Sequence, residues 1–142
     1  EQALGVDYLE LDELLADCDI ISLHVPVLDS TYHMLSAPQF KAMKRAAYVI
    51  NTARGEVIDQ DALVEALESG EIAGAALDTL TPEPAPRELN ILNMSEAAQK
   101  RLTLTPHIGG TTDEAFARML RGAIENFTRV ASGGAPVNVV NE

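Results

Sequence analysis

Short apolar runs alternate with amphipathic stretches along this chain. Leu11, Leu14 and Leu15 stand at i, i+3 and i+4, which predicts a short helix closing near Asp17. Residues 19–25 read as a buried strand whose pairing ends at Pro26. Ser36 with Gln39 three residues on has capping-box spacing, so a helix is predicted through Met43. Residues 47–51 form a second strand. Asp59 is placed to cap a helix carrying Leu63, Ala66 and Leu67, and Gly70 to stop it. Residues 74–78 and 102–105 predict a third and a fourth strand. The segment 79–100 between them opens with prolines and has room for a helical turn at 95–100. Thr111 and Glu114 form a second capping box before the longest helix. Its apolar face (Phe116, Met119, Leu120, Ala123, Ile124, Phe127, Val130) keeps the helical period until Ser132-Gly133-Gly134 and Pro136 end it, leaving a short extended tail.

Strands alternating with helices predict an α/β fold with a parallel sheet. In open sheets of this kind ligands lie beyond the carboxyl ends of the strands. Arg54, Asp78 and His107 all fall there.

Composition narrows the function classes. At 142 residues the chain makes one ordinary domain, long enough for a real core. Its net charge of -12 argues against nonspecific binding to nucleic acid or anionic membranes, and plain solubility is the simpler reason for it. No apolar run approaches a membrane span. Cys18 is the only cysteine, which rules out an internal disulfide and suits a reducing compartment. With no signal peptide in view, a cytoplasmic location is expected. The chain opens at Glu1 with no initiator Met, so the natural N-terminus is expected to lie elsewhere.

The chemistry-bearing residues each admit a plain alternative. Arg54 sits in Asn51-Thr52-Ala53-Arg54-Gly55, between an apolar run and a helix. A guanidinium there can grip a carboxylate bidentately and polarise a neighbouring carbonyl, or it can be a solvated turn arginine. His107, between Pro106 and the Gly109-Gly110 pair, can deliver a proton to a carbonyl oxygen. The glycines let backbone approach a ligand, and the helix N-terminus beyond them favours an anion. Glu83, flanked by Pro82 and Pro84, can bind the far ring nitrogen, fixing the tautomer and favouring the protonated ring. Alone, His107 reads as a loop histidine and Glu83 as part of a loop. Asp78 can accept from a carboxamide or cap the following turn. His24 and Pro26 can line an adenosine pocket, whereas His33 reads as a surface residue. No cluster has metal-ligand spacing, and no Gly-x-Ser-x-Gly elbow supports a serine hydrolase.

Taken in order, Ser22-Leu23-His24-Val25-Pro26, Val49-Ile50-Asn51-Thr52-Ala53-Arg54-Gly55, Gly74-Ala75-Ala76-Leu77-Asp78, Glu83-Pro84 and Pro106-His107-Ile108-Gly109-Gly110 resemble the D-isomer-specific 2-hydroxyacid dehydrogenases. The resemblance covers nearly the whole chain in order and spacing. His107-Ile108-Gly109-Gly110-Thr111 and Val137-Asn138-Val139-Val140-Asn141 look closest to the phosphoglycerate dehydrogenase branch. It implies that Arg54 binds the substrate carboxylate and keto oxygen, that His107 is the acid/base, and that Glu83 is its partner. It further implies that Asp78 holds the nicotinamide carboxamide. His24, Val25, Pro26, Thr52 and Ala53, with Gly109 and Gly110, would contact the dinucleotide. Glu83, where the formate dehydrogenase branch has Gln, implies a hydroxy-acid substrate. A homodimer through the nucleotide-binding domain is implied as well. The segment 85–100 looks longer than is usual in the family.

The sequence departs from the family pattern in one respect. No Gly-x-Gly-x-x-Gly loop precedes these motifs, nor does most of a substrate-binding domain. The expected fold is an incomplete Rossmann-like doubly wound sheet, the C-terminal part of a dinucleotide-binding domain, with residues 112–142 returning toward the substrate domain. The expected cofactor is NAD, with NADP left open, because the acidic residue that selects between them would precede Glu1. In the strand order 3-2-1-4-5-6 the strand at 19–25 is expected at an edge, two strands away from that at 47–51 and without its normal neighbour. This polypeptide alone is therefore expected to be inactive, its parent being a dehydrogenase. The alternative from another class is a non-catalytic, dinucleotide-sensing corepressor on the same scaffold, although no basic stretch or partner-binding tail supports it.

Overall fold

The computed structural model describes residues 5–139, divided into two units, Glu1–His107 and Ile108–Glu142. The last two residues of the phosphoglycerate-dehydrogenase-like ending, Val140 and Asn141, lie outside the described residues.

The first unit is a parallel sheet of four strands, β1 (Ile20–Leu23), β2 (Tyr48–Asn51), β3 (Gly74–Leu77) and β4 (Leu102–Leu104), side by side in chain order. Its helices are α1 (Leu11–Asp17), α2 (Ala37–Ala42), α3 (Gln60–Ser69) and the single turn α4 (Glu96–Gln99). The predicted signals act locally. The amide oxygen of Gln39 accepts from both the N–H and the hydroxyl of Ser36 at the start of α2. Asp59 accepts the Ala62 N–H at the start of α3, and Gly70 ends α3 in the left-handed region, φ 68°. Only glycine takes that conformation without a Cβ penalty.

One expectation is overturned. β1 pairs directly with β2, in the register Ile20↔Tyr48 to Leu23↔Asn51, with no gap for intervening strands. The order reversal expected between them is absent, because each βαβ crossover here places its second strand beside its first. β1 thus has its neighbour, and its other edge, like the outer edge of β4, is open among the described residues.

Successive side chains on a strand face opposite ways, which sorts the two faces of the sheet. Ile21 and Leu23 of β1, Val49 of β2, and Ala75 and Leu77 of β3 point into the core, where Leu15, Phe40, Leu63 and Leu67 of α1 to α3 meet them. The other face carries Ile20, Ser22, Tyr48 and Ile50, of which Ile20 is 62% and Tyr48 51% exposed. The segment after β3 is anchored by Ile91, Met94 and Ala98, buried with the same core. Ser95, which caps α4, donates its N–H and hydroxyl to the two carboxylate oxygens of Glu68 on α3. Those bonds, the hydroxyl's first, hold the Glu68 carboxyl below the usual carboxylate range.

Two smaller corrections follow from local geometry. A 3-10 turn, Gly55–Val57, separates the Arg54 turn from α3 and lays Ile58 against Leu35 as an isolated parallel bridge. His33 is half-buried, stacked on Tyr32 and held at φ 50°, with its N–H donated to the Glu56 carbonyl.

The second unit consists of α5 (Asp113–Ala131) and a short tail. Its cap is Thr112, whose hydroxyl accepts the Ala115 N–H, one residue later than the predicted Thr111. Asn126 fastens the tail to the helix, its amide donating to the Val137 carbonyl and accepting the Val137 N–H. No described helix is long and apolar enough to cross a membrane.

Candidate active site

The expected site residues gather at the carboxyl edge of the sheet because three strands stop there together. β2 ends at Asn51, β3 at Leu77 and β4 at Leu104, and main-chain bonds keep the three exits in register. Asp78 N–H donates to Asn51 O at 2.9 Å, Thr105 N–H to Leu77 O at 3.0 Å, and His107 N–H to Asp78 O at 2.9 Å. Arg54, Asp78 and His107 are thereby carried out of neighbouring strands at one level.

His107 and Glu83 are paired. The ring Nδ1 lies 2.7 Å from Glu83 Oε2, with both side chains part-exposed. The second carboxylate oxygen, Oε1, accepts the Leu80 N–H at 2.9 Å. The Leu80 N–H first, then the His107 ring, holds the Glu83 carboxyl below its ordinary range, and Arg54 contributes a weaker field in the same direction. Glu83 is therefore an anion at neutral pH, directed at Nδ1, and Nε2 is the nitrogen left for other chemistry. His107 itself sits at φ 55°, uncommon for a residue with a Cβ.

Arg54 is exposed, and its Nη1 donates to the carbonyl of Ala53 at 2.7 Å. It has no carboxylate within ion-pair distance among the described residues. Its turn is built by Asn51, which is fully buried: Oδ1 accepts the Ala53 N–H and Nδ2 donates to the Arg54 carbonyl. Arg54, Glu83 and His107 border one cleft of about 340 Å³. An anion entering it meets a guanidinium fork and an imidazole, a fitting set for a carboxylate next to a reducible carbonyl.

Asp78 is nearly buried and accepts the hydroxyl of Thr105. An adjoining cleft of about 460 Å³ lies between the Asp78 and His107 exits, lined largely by Leu80, Pro84, Leu104 and Pro106. A third, of about 660 Å³, opens past β1 and β2 and is lined by His24, Val25, Pro26, Thr52 and Ala53. His24 accepts or donates through Nε2 to the Ser22 hydroxyl at 2.8 Å. Apolar Val25, Pro26 and Ala53 beside polar His24 and Thr52 form a donor set suited to the rings and sugars of a dinucleotide. Gly109 and Gly110 belong to the second unit, in the turn Ile108 to Thr111 that precedes α5. Among the described residues no His/Cys/Asp/Glu group could hold a metal ion.

Asn51, Gln60 and Thr105 shape this edge without having stood out in the sequence. The available signal was positional, since each is a polar residue at the end of a strand or the start of a helix next to a chemistry-bearing loop. Spacing alone does not show that Asn51 and Gln60 turn inward.

Residues 1–109 match the NAD binding domain of the D-isomer specific 2-hydroxyacid dehydrogenases, and the chain belongs to that family. It is 41% identical over 142 residues to a glyoxylate reductase of Korarchaeum cryptofilum, covering all of this chain and 41% of that protein. It is 49% identical over 138 residues to D-3-phosphoglycerate dehydrogenase 1 of Saccharomyces cerevisiae, covering 92% of this chain and 29% of that one. The fold superposes, with a TM-score of 0.80 and 37% identity, on the NAD-complexed D-isomer specific 2-hydroxyacid dehydrogenase from Lactobacillus delbrueckii ssp. bulgaricus, covering 94% of this chain and 43% of that one. The chain thus spans about two fifths of the length of the glyoxylate reductase it matches.

Proposed function

We propose that this chain is the dinucleotide-binding part of an NAD(P)-dependent dehydrogenase that interconverts a small D-2-hydroxy acid and the corresponding 2-keto acid. The observation that carries this reading is the 2.7 Å pairing of His107 Nδ1 with Glu83, on one cleft with Arg54.

In reduction, Arg54 binds the substrate carboxylate and orients the keto oxygen by the same fork. His107, protonated, donates from Nε2 to that oxygen as negative charge develops on it. Glu83, held ionised by the Leu80 N–H, stabilises the imidazolium and fixes its ring plane. A nicotinamide cofactor would supply the hydride for the carbonyl carbon and take it back in the reverse direction. His107 gives its proton to the oxygen in reduction and takes it back as base in oxidation. Asp78 would hold the carboxamide end of the cofactor. His24, Val25, Pro26, Thr52 and Ala53 would flank its dinucleotide, and Gly109 and Gly110 are further candidate contacts.

The chain has no Gly-x-Gly-x-x-Gly loop of its own, so residues beyond it complete the pyrophosphate site and close the cleft. The whole protein is a homodimer, and its compartment is the cytoplasm, in keeping with the single cysteine. The names of the relatives point to glyoxylate and D-3-phosphoglycerate as first substrates to try.

The test uses the whole gene product with NADH or NADPH and a panel of 2-keto acids that includes glyoxylate, followed by NAD with D-3-phosphoglycerate. Turnover is expected with at least one pair. In the active pair His107→Ala and Arg54→Ala each lower kcat/KM by about 10²–10⁴-fold. Near-parental kcat/KM in both variants would end the assignment.

A further inference from the structure

Gln60 is the first residue of α3, and its side chain does not point to solvent. Its Nε2 donates to the carbonyl of Thr81, and its Oε1 accepts the N–H of the same Thr81 at 3.1 Å. Two bonds from one side-chain amide to the N–H and C=O of a single residue fix position and orientation together. The base of the clamp is itself held, because Asp59 caps α3 and donates its N–H to the Leu35 carbonyl.

What the clamp holds is the base of the Glu83 loop. Leu80, next to Thr81, donates the N–H that takes Glu83 Oε1, and Glu83 Oε2 takes His107 Nδ1. Gly55, directly after Arg54, packs closely against the Leu80–Thr81 peptide. A Cβ at Gly55 would collide with the Leu80 carbonyl group and stand 2.7 Å from the Thr81 nitrogen. The Leu80–Thr81 peptide is thus held by both the Arg54 turn and the Gln60 amide. From these contacts we propose that Gln60 is a positioning residue of the acid/base pair, fixing the Leu80–Thr81 peptide and through it the Glu83 carboxylate against His107.

This rests on the dehydrogenase reading for its kinetic consequence but not for its structural one, and the two are separable by experiment. The groups facing His107 are Glu83 on its own loop, Asp78 at the end of β3 and Arg54 past β2, and none is altered by changing Gln60. Gln60→Met keeps the volume and removes both bonds. Gln60→Glu keeps an acceptor while ionised and, once protonated, regains an O–H donor for the Thr81 carbonyl. In the whole gene product, the imidazole ¹⁵N shifts of His107 report the bond from Nδ1 to Glu83 whether or not any substrate turns over. Those shifts are expected to move in Gln60→Met toward the values of Glu83→Gln. In Gln60→Glu the parental shifts should return as the pH falls.

With an active substrate pair, kcat falls about 10- to 100-fold in Gln60→Met while KM for the keto acid and NADH affinity stay within about twofold. In Gln60→Glu the ratio of variant to parental kcat rises toward acid pH. Parental His107 shifts in a folded Gln60→Met overturn the proposal, as does a loss confined to melting temperature with kcat and its pH profile unmoved. If Gln60→Met does not fold, the Gln60→Glu series decides, and a ratio and shifts flat with pH overturn it. Absence of turnover in the parent itself counts against the dehydrogenase reading and leaves the shift measurement to decide the positioning role.

Discussion

Glu83 shows how one residue's environment sets its task. The Leu80 N–H and the His107 ring lower its carboxyl pKa, so the folded state prefers the anion. Because the folded value is depressed, the stabilisation from Glu83 is fully present above the ordinary carboxylate value of 4.5. It is lost as the pH falls through the lower folded value. The side chain is 37% exposed, so solvent screening keeps that contribution small, and its larger effect is on its partner. A carboxylate 2.7 Å from Nδ1 fixes the tautomer and the orientation of the ring that reduction needs. Glu83→Gln is therefore expected to lower kcat for keto-acid reduction about 10- to 100-fold, with little change in melting temperature at neutral pH. Parental kcat in a folded Glu83→Gln would remove Glu83 from the acid/base pair.

Among the elements, α3 carries the most consequence for the site, since its first residue clamps Thr81 and its last turn receives Ser95. Its start depends on the Asp59 carboxylate accepting the Ala62 N–H at 3.1 Å. Asp59→Ala removes that cap and is expected to cost about 0.5–2 kcal/mol, read as a lower urea midpoint at unchanged slope. Unchanged stability would mean that tertiary contacts, with Leu63 and Leu67 fully buried, hold the first turn without it. The same element shows how far local sequence reaches. The Asp59 cap and the Gly70 stop were both legible, because each acts within a few residues of itself. The 3-10 turn before α3 was not, because Gly55 is shaped by a peptide 25 positions further along the chain. The segment 85–100 was legible only as a long insert with one helical turn. Its docking depends on Ile91, Met94 and Ala98 finding the core beside α3.

At the scale of the whole first unit, the decisive fact is that its own helices cover only one face of the sheet. Ile20 and Tyr48 stand side by side on the other face, 62% and 51% exposed, next to the open edge of β1. Apolar surface beside an unpaired strand edge drives association. The 142-residue chain produced alone is therefore expected to self-associate with rising concentration, and Ile20→Lys to reduce that association while changing stability by no more than about 0.5 kcal/mol. Sedimentation velocity over a concentration series decides it, and a concentration-independent monomer in the unsubstituted chain would refute the expectation.

The sequence by itself determined the alternation of strands and helices, the strand-end placement of Arg54, Asp78 and His107, and the membership of the family. These follow from periodicity, capping and motif order, which act over a few residues. It misplaced β1, because strand order is a long-range property: the same apolar run fits any neighbour until crossovers and register select one. The bond from His107 to Glu83 spans 24 positions and was implied by family resemblance rather than by spacing. Only the tertiary structure decided which polar side chains turn inward, with Asn51 closing the Arg54 turn and Gln60 fixing the peptide beneath Glu83. Inward polar groups are settled by which main-chain donors and acceptors the fold brings within hydrogen-bond reach, and that is fixed only when the strand ends assemble.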